Sequence, residues 1–316
     1  MWMFIRKNTK LKFKKIKIKK LIKRVIILLF CGAVFSLGFT VYENIHVDRV
    51  IKAFKDRAVF EAEVQFESRP GQFQTRRYYV VSRETSYELE DTRSVFNTDR
   101  QYLGQKGDIF VTQDSPFPSV FGIHQFISYY YGGHAAIHDG ENRFIEAIGF
   151  PDPDESLLEI MLVRGDKPHT YSTTVGRNST NYWLMINYRS ESSNDYPYYG
   201  RYYRPDFVGL RVKHITEDQI DGAVDYAYDK YENKAIYNFL FFLNMKYKYY
   251  CTDLVSRAYQ SVMVDEKDQR SYARALNDDG FITSVNDLIL SRETYITFYV
   301  EIIDDILHIY YLEDVL

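Results

Sequence analysis

Residues 249–259 have the sequence YYCTDLVSRAY, which places Cys251 at the start of an apolar repeat. Leu254, Val255 and Ala258 follow at helical spacing, so the stretch predicts a helix that begins at Cys251 and turns the thiol towards the core. The partial positive charge at a helix N-terminus favours the nucleophilic thiolate, and the N–H groups of the first turn could hold an oxyanion. The sequence therefore predicts either a nucleophile at Cys251 or a small buried hydrophobic residue.

The region after the N-terminus contains a single thiol, because the only other cysteine, Cys31, lies in an apolar run near the start of the chain. No disulfide framework can be built from this pair. In an oxidising exterior, a lone thiol is either a buried structural residue or a reactive one. The cysteine count excludes a disulfide-stapled fold and leaves a role in catalysis open.

A thiol nucleophile needs a base, and His134 is the candidate. A predicted strand that begins at His134 is separated from a second predicted strand, 143–148, by Asp139-Gly140, which is typical of a hairpin. His138 shares the face of His134, because the two positions differ by an even number. The alternative for His134 is an ordinary surface histidine with satisfied hydrogen bonds.

Glu146 on the returning strand is the candidate third group, because a carboxylate can orient an imidazole. Its placement depends on the register of the hairpin. Glu146 lies directly opposite His134 only if paired residue numbers sum to 280, which requires an odd loop or a bulge. A two-residue turn at Gly140-Glu141 would put Glu146 on the other face of the sheet.

The stretch 25–42 is 18 residues without a charge, which reaches the length needed to span a bilayer of about 30 Å. Residues 1–24 hold 11 Lys/Arg and no Asp/Glu, and because the whole chain carries −3, residues 43–316 carry −14. This asymmetry predicts a single-pass anchor in the cell membrane, with a cytoplasmic N-terminus and an extracellular body. The alternatives are a buried core helix and a cleaved signal peptide.

The basic arm, residues 1–24, could bind nucleic acid or the anionic inner leaflet of a membrane. Its position directly before the apolar run favours the leaflet, so the membrane is the expected partner and nucleic acid is not.

The rest of the chain predicts an α+β body. Residues 43–100 are interpreted as a stalk and accessory region, and residues 101–316 as the main domain with an insertion at about 150–205. Helices are predicted to start after Thr216 and at Cys251. An exposed Tyr-rich loop is predicted at 190–204, and the triplet Asn-Ser-Thr at 178–180 fits a glycosylation pattern. The predicted strands are 59–64, 77–81, 109–112, 157–163, 182–188, 207–212 and 294–312.

Four short motifs resemble one protein family by their order and spacing. They are Gly107-Asp108-Ile109, Gly133-His134-Ala135-Ala136-Ile137, Phe144-Ile145-Glu146-Ala147 and the stretch 249–255. The set is similar to the permuted papain-like amidases of the YiiX/YebB type, relatives of the NlpC/P60 cell-wall peptidases in which the histidine strand precedes the cysteine helix. Residues 227–238 and 281–288 resemble further elements of that family, although Ser284 stands where proline is usual. The resemblance covers roughly residues 104–300.

The resemblance implies a permuted papain-like (NlpC/P60-type) domain in which an antiparallel sheet packs on helices. It implies a catalytic site of Cys251, His134 and Glu146, acyl transfer through a thioester, and no metal or other cofactor. The expected function is a membrane-anchored extracellular cysteine hydrolase that cleaves an amide, with a cell-wall peptide as one candidate substrate. Two alternatives retain the fold: a lipid acyltransferase or thioesterase, and a non-catalytic binding module.

Overall fold

The computed structural model describes residues 5–97, 100–120, 122–241, 245–263, 276 and 282–315. The chain divides into two compact units, Met1–Ile45 and His46–Leu316, and the second unit is called the body. The body combines a large sheet with helices, so the predicted α+β class is confirmed.

The helices begin where the sequence places caps and apolar repeats. Thr216 caps its helix by accepting a hydrogen bond from the N–H of Gln219, and Cys251 is the first residue of its helix, so both predicted starts are confirmed. Within the described residues the helices are α1 (Ile5–Asp56), α2 (Ser86–Glu90), α3 (Ile123–Tyr130), α4 (Leu157–Leu162), α5 (Tyr196–Tyr199), α6 (Glu217–Glu232), α7 (Cys251–Met263) and α8 (Val285–Leu290).

The strands form one large sheet and one small sheet. In the described part of the chain they are β1 (Ala58–Arg69), β2 (Gln72–Val81), β3 (Ile109–Thr112), β4 (His134–His138), β5 (Phe144–Ala147), β6 (Val175–Arg177), β7 (Asp206–Val212), β8 (Ile236–Tyr237), β9 (Lys248–Tyr249), β10 (Thr294–Ile303) and β11 (Ile306–Leu312). The large sheet has nine strands in the order β1-β2-β11-β10-β7-β3-β4-β5-β6, and β8 pairs with β9. Its pairs are antiparallel except β2 with β11.

Helix α1 contains the apolar run predicted from the sequence. By length and composition, its stretch Ile18–Asp56 is sufficient to cross a membrane, and its most apolar window is almost entirely exposed. A core helix of a globular protein buries its apolar side chains, whereas this one leaves them uncovered. The predicted N-terminal apolar helix is therefore present, with the length and surface of a membrane-spanning segment.

Two predicted strands are wrong. Residues 157–163 lie largely in helix α4, because Ser156 caps that helix by accepting a hydrogen bond from the N–H of Glu159. Residues 182–188 begin with a 3₁₀ turn at Tyr182–Leu184, which inserts Trp183 into the core. The aromatic residues that suggested a strand there cover the sheet and are not part of it.

The stretch 43–100, expected to be a stalk and accessory region, contributes β1 and β2 to the large sheet. The guanidinium group of Arg211 on β7 also ties this stretch to the rest of the body. It donates two hydrogen bonds to Asp108, at 2.7 and 3.0 Å, and others to the carbonyl groups of Arg93 and Ser94. Both charged groups of the Arg211–Asp108 pair are buried, so the pair fixes its neighbours in one arrangement.

Helix α7 lies against β4 and β5, and α6 packs beside it. The buried side chains of α7 include Leu254, Val255 and Ala258, which are the residues whose spacing predicted the helix. This packing brings the first turn of α7 to the part of the sheet that carries the β4–β5 hairpin.

Candidate active site

The register of the β4–β5 hairpin places Glu146 on the same face of the sheet as His134. Ile137 pairs with Ile145 and His138 with Phe144, so paired numbers sum to 282 rather than 280. Glu146 is therefore diagonal to His134, not directly opposite, and a diagonal neighbour is still within reach of a long side chain. The condition for direct opposition is not met, but the odd loop that a shared face requires is present.

The five-residue loop, 139–143, sets this register. The carboxylate of Asp139 accepts hydrogen bonds from the N–H groups of Glu141 and Arg143, at 2.8 and 3.1 Å. Gly140 has φ of +93°, a conformation in which glycine carries no steric penalty. The chain thus turns over five residues, and a two-residue turn at Gly140-Glu141 does not form.

His134 and Glu146 are in direct contact. Nε2 of His134 lies 2.5 Å from Oε2 of Glu146, and the two side chains are 17% and 10% exposed. A carboxylate in this position fixes the orientation of the imidazole ring. Because Nε2 faces the carboxylate, Nδ1 is the ring nitrogen that remains for another partner.

Two further residues hold the Glu146 carboxylate. The amide nitrogen of Asn178 donates to Oε1 at 2.8 Å, and the hydroxyl of Tyr182 donates to Oε2 at 2.6 Å. Neither role could be predicted from a local pattern, because these residues lie 32 and 36 positions after Glu146 in the chain. Asn178 is also the asparagine of the predicted glycosylation triplet, and in the structure its amide nitrogen is hydrogen-bonded to Glu146.

Aromatic rings enclose the imidazole of His134. The ring of Trp183 stacks on it with centroids 6.1 Å apart, and the ring of Tyr203 meets it edge-on at 6.4 Å. Tyr203 and its neighbour Tyr202 are buried, so the prediction that residues 190–204 form an exposed loop is wrong for the end of that stretch. These rings belong to the buried core, and they restrict the rotation of the imidazole.

Cys251 is half-buried and starts helix α7. The first hydrogen bond of the helix runs from the N–H of Leu254 to the carbonyl of Tyr250. The N–H groups of residues 251–253 precede this bond, so the helix itself gives them no acceptor. The side chain of Cys251 lies near enough to the imidazole of His134 to help raise the pKa of that ring. The structure therefore brings together the three residues that the sequence singled out.

The negative charge of Glu146 and the positive charge of His134 stabilise each other. Burial would raise the pKa of Glu146, but hydrogen bonds from His134, Tyr182 and Asn178 and the charge on His134 hold it below its ordinary value. Burial would lower the pKa of His134, but Tyr203 and the hydrogen bonds with Cys251 and Glu146 raise it well above its ordinary value. The arrangement favours a carboxylate beside an imidazolium.

Tyr237 on β8 is a further neighbour of the thiol. Burial, followed by the nearby charge of Cys251, raises the pKa of Tyr237 well above its ordinary value. Its phenol group is therefore protonated and can act as a hydrogen-bond donor. Tyr237 is positioned by its pairing with Tyr249 on β9, two residues before Cys251.

His138, which shares the face of His134, lies in the core away from this cluster. Its Nδ1 accepts a hydrogen bond from the N–H of Gly140 at 3.0 Å, and its ring packs between Phe110 and Phe144. Burial lowers its pKa, so it is neutral and helps to form the hairpin loop. Among the residues that the structure describes, no group of three or more His, Cys, Asp or Glu side chains is arranged to hold a metal ion.

Comparisons of the chain with protein-family models, with curated proteins and with solved structures found no match. The assignment of chemistry to this site therefore rests on its residues and their geometry.

We predict that Tyr182→Phe slows alkylation of Cys251, because it removes one donor from Glu146 and weakens the support of the imidazolium. The expected decrease at pH 7 is about five- to tenfold, which corresponds to one hydrogen bond of about 1–1.4 kcal/mol. The rate is measured with iodoacetamide in a Cys31→Ser background, over pH 5 to 9. A shift in the pH profile would show that the imidazolium is less stabilised, which a loss of fold alone would not produce.

The matched control is Tyr198→Phe, because Tyr198 is 56% exposed and distant in sequence from the hairpin. Alkylation of Cys251 in Tyr182→Phe at the wild-type rate and with the wild-type pH profile would contradict the role given to Tyr182.

We also predict that the His134–Glu146 pair contributes most to the free energy of unfolding at an intermediate pH. The pKa of Glu146 is lowered on folding, so its contribution is present above about pH 4.3 and is lost as pH falls through the folded value. The pKa of His134 is raised, so its contribution is present below about pH 6.5 and is lost as pH rises through the folded value. The free energy of unfolding of wild type minus that of Glu146→Gln should therefore be largest between these limits.

The measurement is urea unfolding of the full chain carrying Trp2→Phe, in detergent, followed by the fluorescence of Trp183, from pH 4 to 9. A difference between the two proteins that is constant across this range would show that the ion pair does not form.

Proposed function

We propose that the chain is a membrane-anchored cysteine hydrolase that cleaves an amide bond outside the cell through a thioester intermediate. The observation that carries this proposal is the contact between His134 and Glu146 beside Cys251, at the start of a helix. A nucleophile in contact with a base, which a third group orients, is the arrangement that nucleophilic catalysis requires.

In the first half-reaction the sulfur of Cys251 attacks the carbonyl carbon of the substrate. The imidazolium of His134 lies beside the sulfur and offsets its negative charge. The N–H groups of the first turn of α7 and the hydroxyl of Tyr237 are donors for the oxyanion that forms. His134 then gives its proton to the leaving nitrogen, the C–N bond breaks, and an acyl thioester remains on Cys251.

In the second half-reaction water attacks the thioester. His134, now neutral, removes a proton from the water, and the C–S bond breaks as the carboxylic acid leaves. The proton on His134 restores the starting state beside the sulfur. Glu146 acts throughout as a positioning residue, because it holds the ring through Nε2 and stabilises its charged form.

The order of the elements supports a permuted papain-like domain of the NlpC/P60 type. The histidine strand β4 and the glutamate strand β5 precede the cysteine helix α7, which is the order that the resemblance to the YiiX/YebB-type amidases implies. In that family relationship a peptide amide, such as one in a cell wall, is the expected substrate.

The N-terminal segment supports the proposed location. Residues 1–24 are basic, and the apolar run 25–42 lies within a helix that is long enough to span a bilayer. Positive charges are retained on the cytoplasmic side of a membrane, so the acidic body would lie outside the cell.

The first test is the reactivity of Cys251 in the full chain, in a Cys31→Ser background. We expect His134→Ala to lower the rate of alkylation by iodoacetamide at pH 7 at least about tenfold, because the neighbouring positive charge is lost. The matched control is His214→Ala, since His214 lies on the surface and contacts Glu90.

Equal rates of alkylation in wild type and His134→Ala would contradict the activated thiol and favour a non-catalytic module. The urea unfolding midpoint of each variant shows whether its fold is intact.

A further inference from the structure

Helix α3 has its polar side towards the body and its apolar side towards solvent. The hydroxyl group of the buried Ser115 is hydrogen-bonded to Nδ1 of His124 at 2.8 Å, and the N–H of Ser115 donates to the hydroxyl of Ser128 at 3.0 Å. His124 and Ser128 are one turn apart, so they define the side of α3 that attaches to the body. Phe126 lies about 180° from that side, at 100° per residue.

The outward side of α3 is apolar and uncovered. All eight residues of α3 are described, and none of them is buried. Ile123, Phe126 and Tyr129 are each about half exposed, at 51%, 51% and 50%. A surface helix of a globular protein has the opposite arrangement, with its apolar side in the core. Together with the exposed Phe117 and Val120, these residues are called the apolar rim.

The apolar rim belongs to a stretch without charge. Residues 115–138 contain no Asp, Glu, Lys or Arg, although such residues make up 26% of the chain. Ser115 and residues 135–138 of this stretch are buried, and the exposed residues between them form an uncharged, largely apolar surface on an acidic body, which is typical of an interaction site.

The apolar rim reaches the residues that flank the thiol by two routes. On one side Phe126 contacts Tyr131, the ring of Tyr131 stacks on Phe241 at 5.7 Å, and Phe241 contacts Tyr250, directly before Cys251.

On the other side Phe117 contacts the exposed ring of Phe150 at 6.0 Å. The adjacent Gly149 lies so close to Tyr237 that a Cβ there would be 2.7 Å from its ring. The two routes connect exposed aromatic residues with Tyr250, which directly precedes Cys251, and with Tyr237, whose pKa Cys251 affects, so the apolar rim is joined by contacts to the surroundings of the candidate site.

A lipid bilayer fits this surface better than a protein partner does. Protein interfaces carry a polar periphery that fixes the register of the partners, whereas the apolar rim has no charged residue. Phe and Tyr side chains are favourable at the boundary between headgroups and acyl chains. A membrane that contains the apolar run would also be close to the body, because only Glu43, Asn44 and Ile45 separate the two.

We propose that the apolar rim inserts into the outer surface of the membrane in which the chain is anchored, and that the carbonyl attacked by Cys251 belongs to a molecule embedded in that membrane. The docking rests on the apolar rim alone. The choice of substrate rests on the proposed function. The substrate would be an amphiphile whose amide or ester lies at headgroup level.

The docking is tested with a tryptophan at position 126. The full chain carrying Trp2→Phe and Phe126→Trp is reconstituted in phosphatidylcholine vesicles, with and without bromine on the acyl chains, and the signal of a Trp2→Phe parent is subtracted. Brominated chains should quench the emission of the new tryptophan at least about twofold, because its ring lies at the level of the acyl chains.

The matched control is Tyr228→Trp in the same background, because Tyr228 is a partly exposed ring on α6 among charged side chains. Its emission should not respond to bromine. Absence of quenching at position 126, or equal quenching at both positions, would overturn the docking. Cross-linking of the apolar rim to a second copy or to another protein, without quenching, would also overturn it.

The proposal that the substrate is embedded in the membrane is tested with two p-nitrophenyl esters. One has a long chain and is held in vesicles, and the other has a short chain and is soluble in water. Phe126→Gln should lower the ratio of turnover of the vesicle-held ester to turnover of the soluble ester at least about fivefold, and Tyr228→Gln should not. An unchanged ratio in Phe126→Gln would overturn the proposal of an embedded substrate. Full turnover of both esters by Cys251→Ala would instead overturn the proposed function and leave the quenching result standing.

Discussion

The contact between His134 and Glu146 is the constraint on which the rest of the candidate site depends. A carboxylate and an imidazole that are both largely buried are stable only if each satisfies the other and the remaining lone pairs find donors. The hairpin meets this requirement through its register, which a loop closed by the side chain of Asp139 sets. A slip of one residue would carry Glu146 to the other face and leave its charge without His134.

The surroundings of the pair follow from the same requirement. Glu146 uses both oxygens, one for Asn178 and one shared by His134 and Tyr182, so its charge is supported from three directions. Trp183 and Tyr203 pack against the ring that the carboxylate holds. Helix α7 begins at Cys251, whose side chain affects the charge of the same ring.

The sequence predicted the parts of the fold that local patterns determine. The spacing of apolar residues after Cys251 predicted α7, the cap at Thr216 predicted α6, and the uncharged run 25–42 predicted the apolar part of α1. His134, Glu146 and Cys251 could be named because a glycine-bounded hairpin and a helix start are local signals. The shared face of His134 and Glu146 could be stated only as a condition, since loop length depends on how Asp139 bonds to the backbone.

Other features depend on contacts between distant positions, and no local pattern shows them. Asn178 reaches Glu146 because β6, which it follows, pairs with β5, and Tyr182 reaches it from a turn that inserts Trp183 into the core where a strand was predicted. The Tyr residues near position 203 resemble an exposed loop in composition, yet they are buried against His134. Helix α3 was not predicted, although its apolar residues recur at helical spacing, and the outward orientation of its apolar side depends on contacts of His124 and Ser128 with Ser115 that no local pattern shows.

The most direct test of the central claim is a search for the thioester itself. The full chain is mixed with a p-nitrophenyl ester, release of p-nitrophenolate is followed in the first turnover, and the acid-quenched protein is analysed by mass spectrometry. The proposed chemistry predicts a burst of about one p-nitrophenolate per protein and an acyl group on Cys251 that hydroxylamine removes. Turnover of the ester without acylation of Cys251, or with an equal rate in Cys251→Ala, would contradict it.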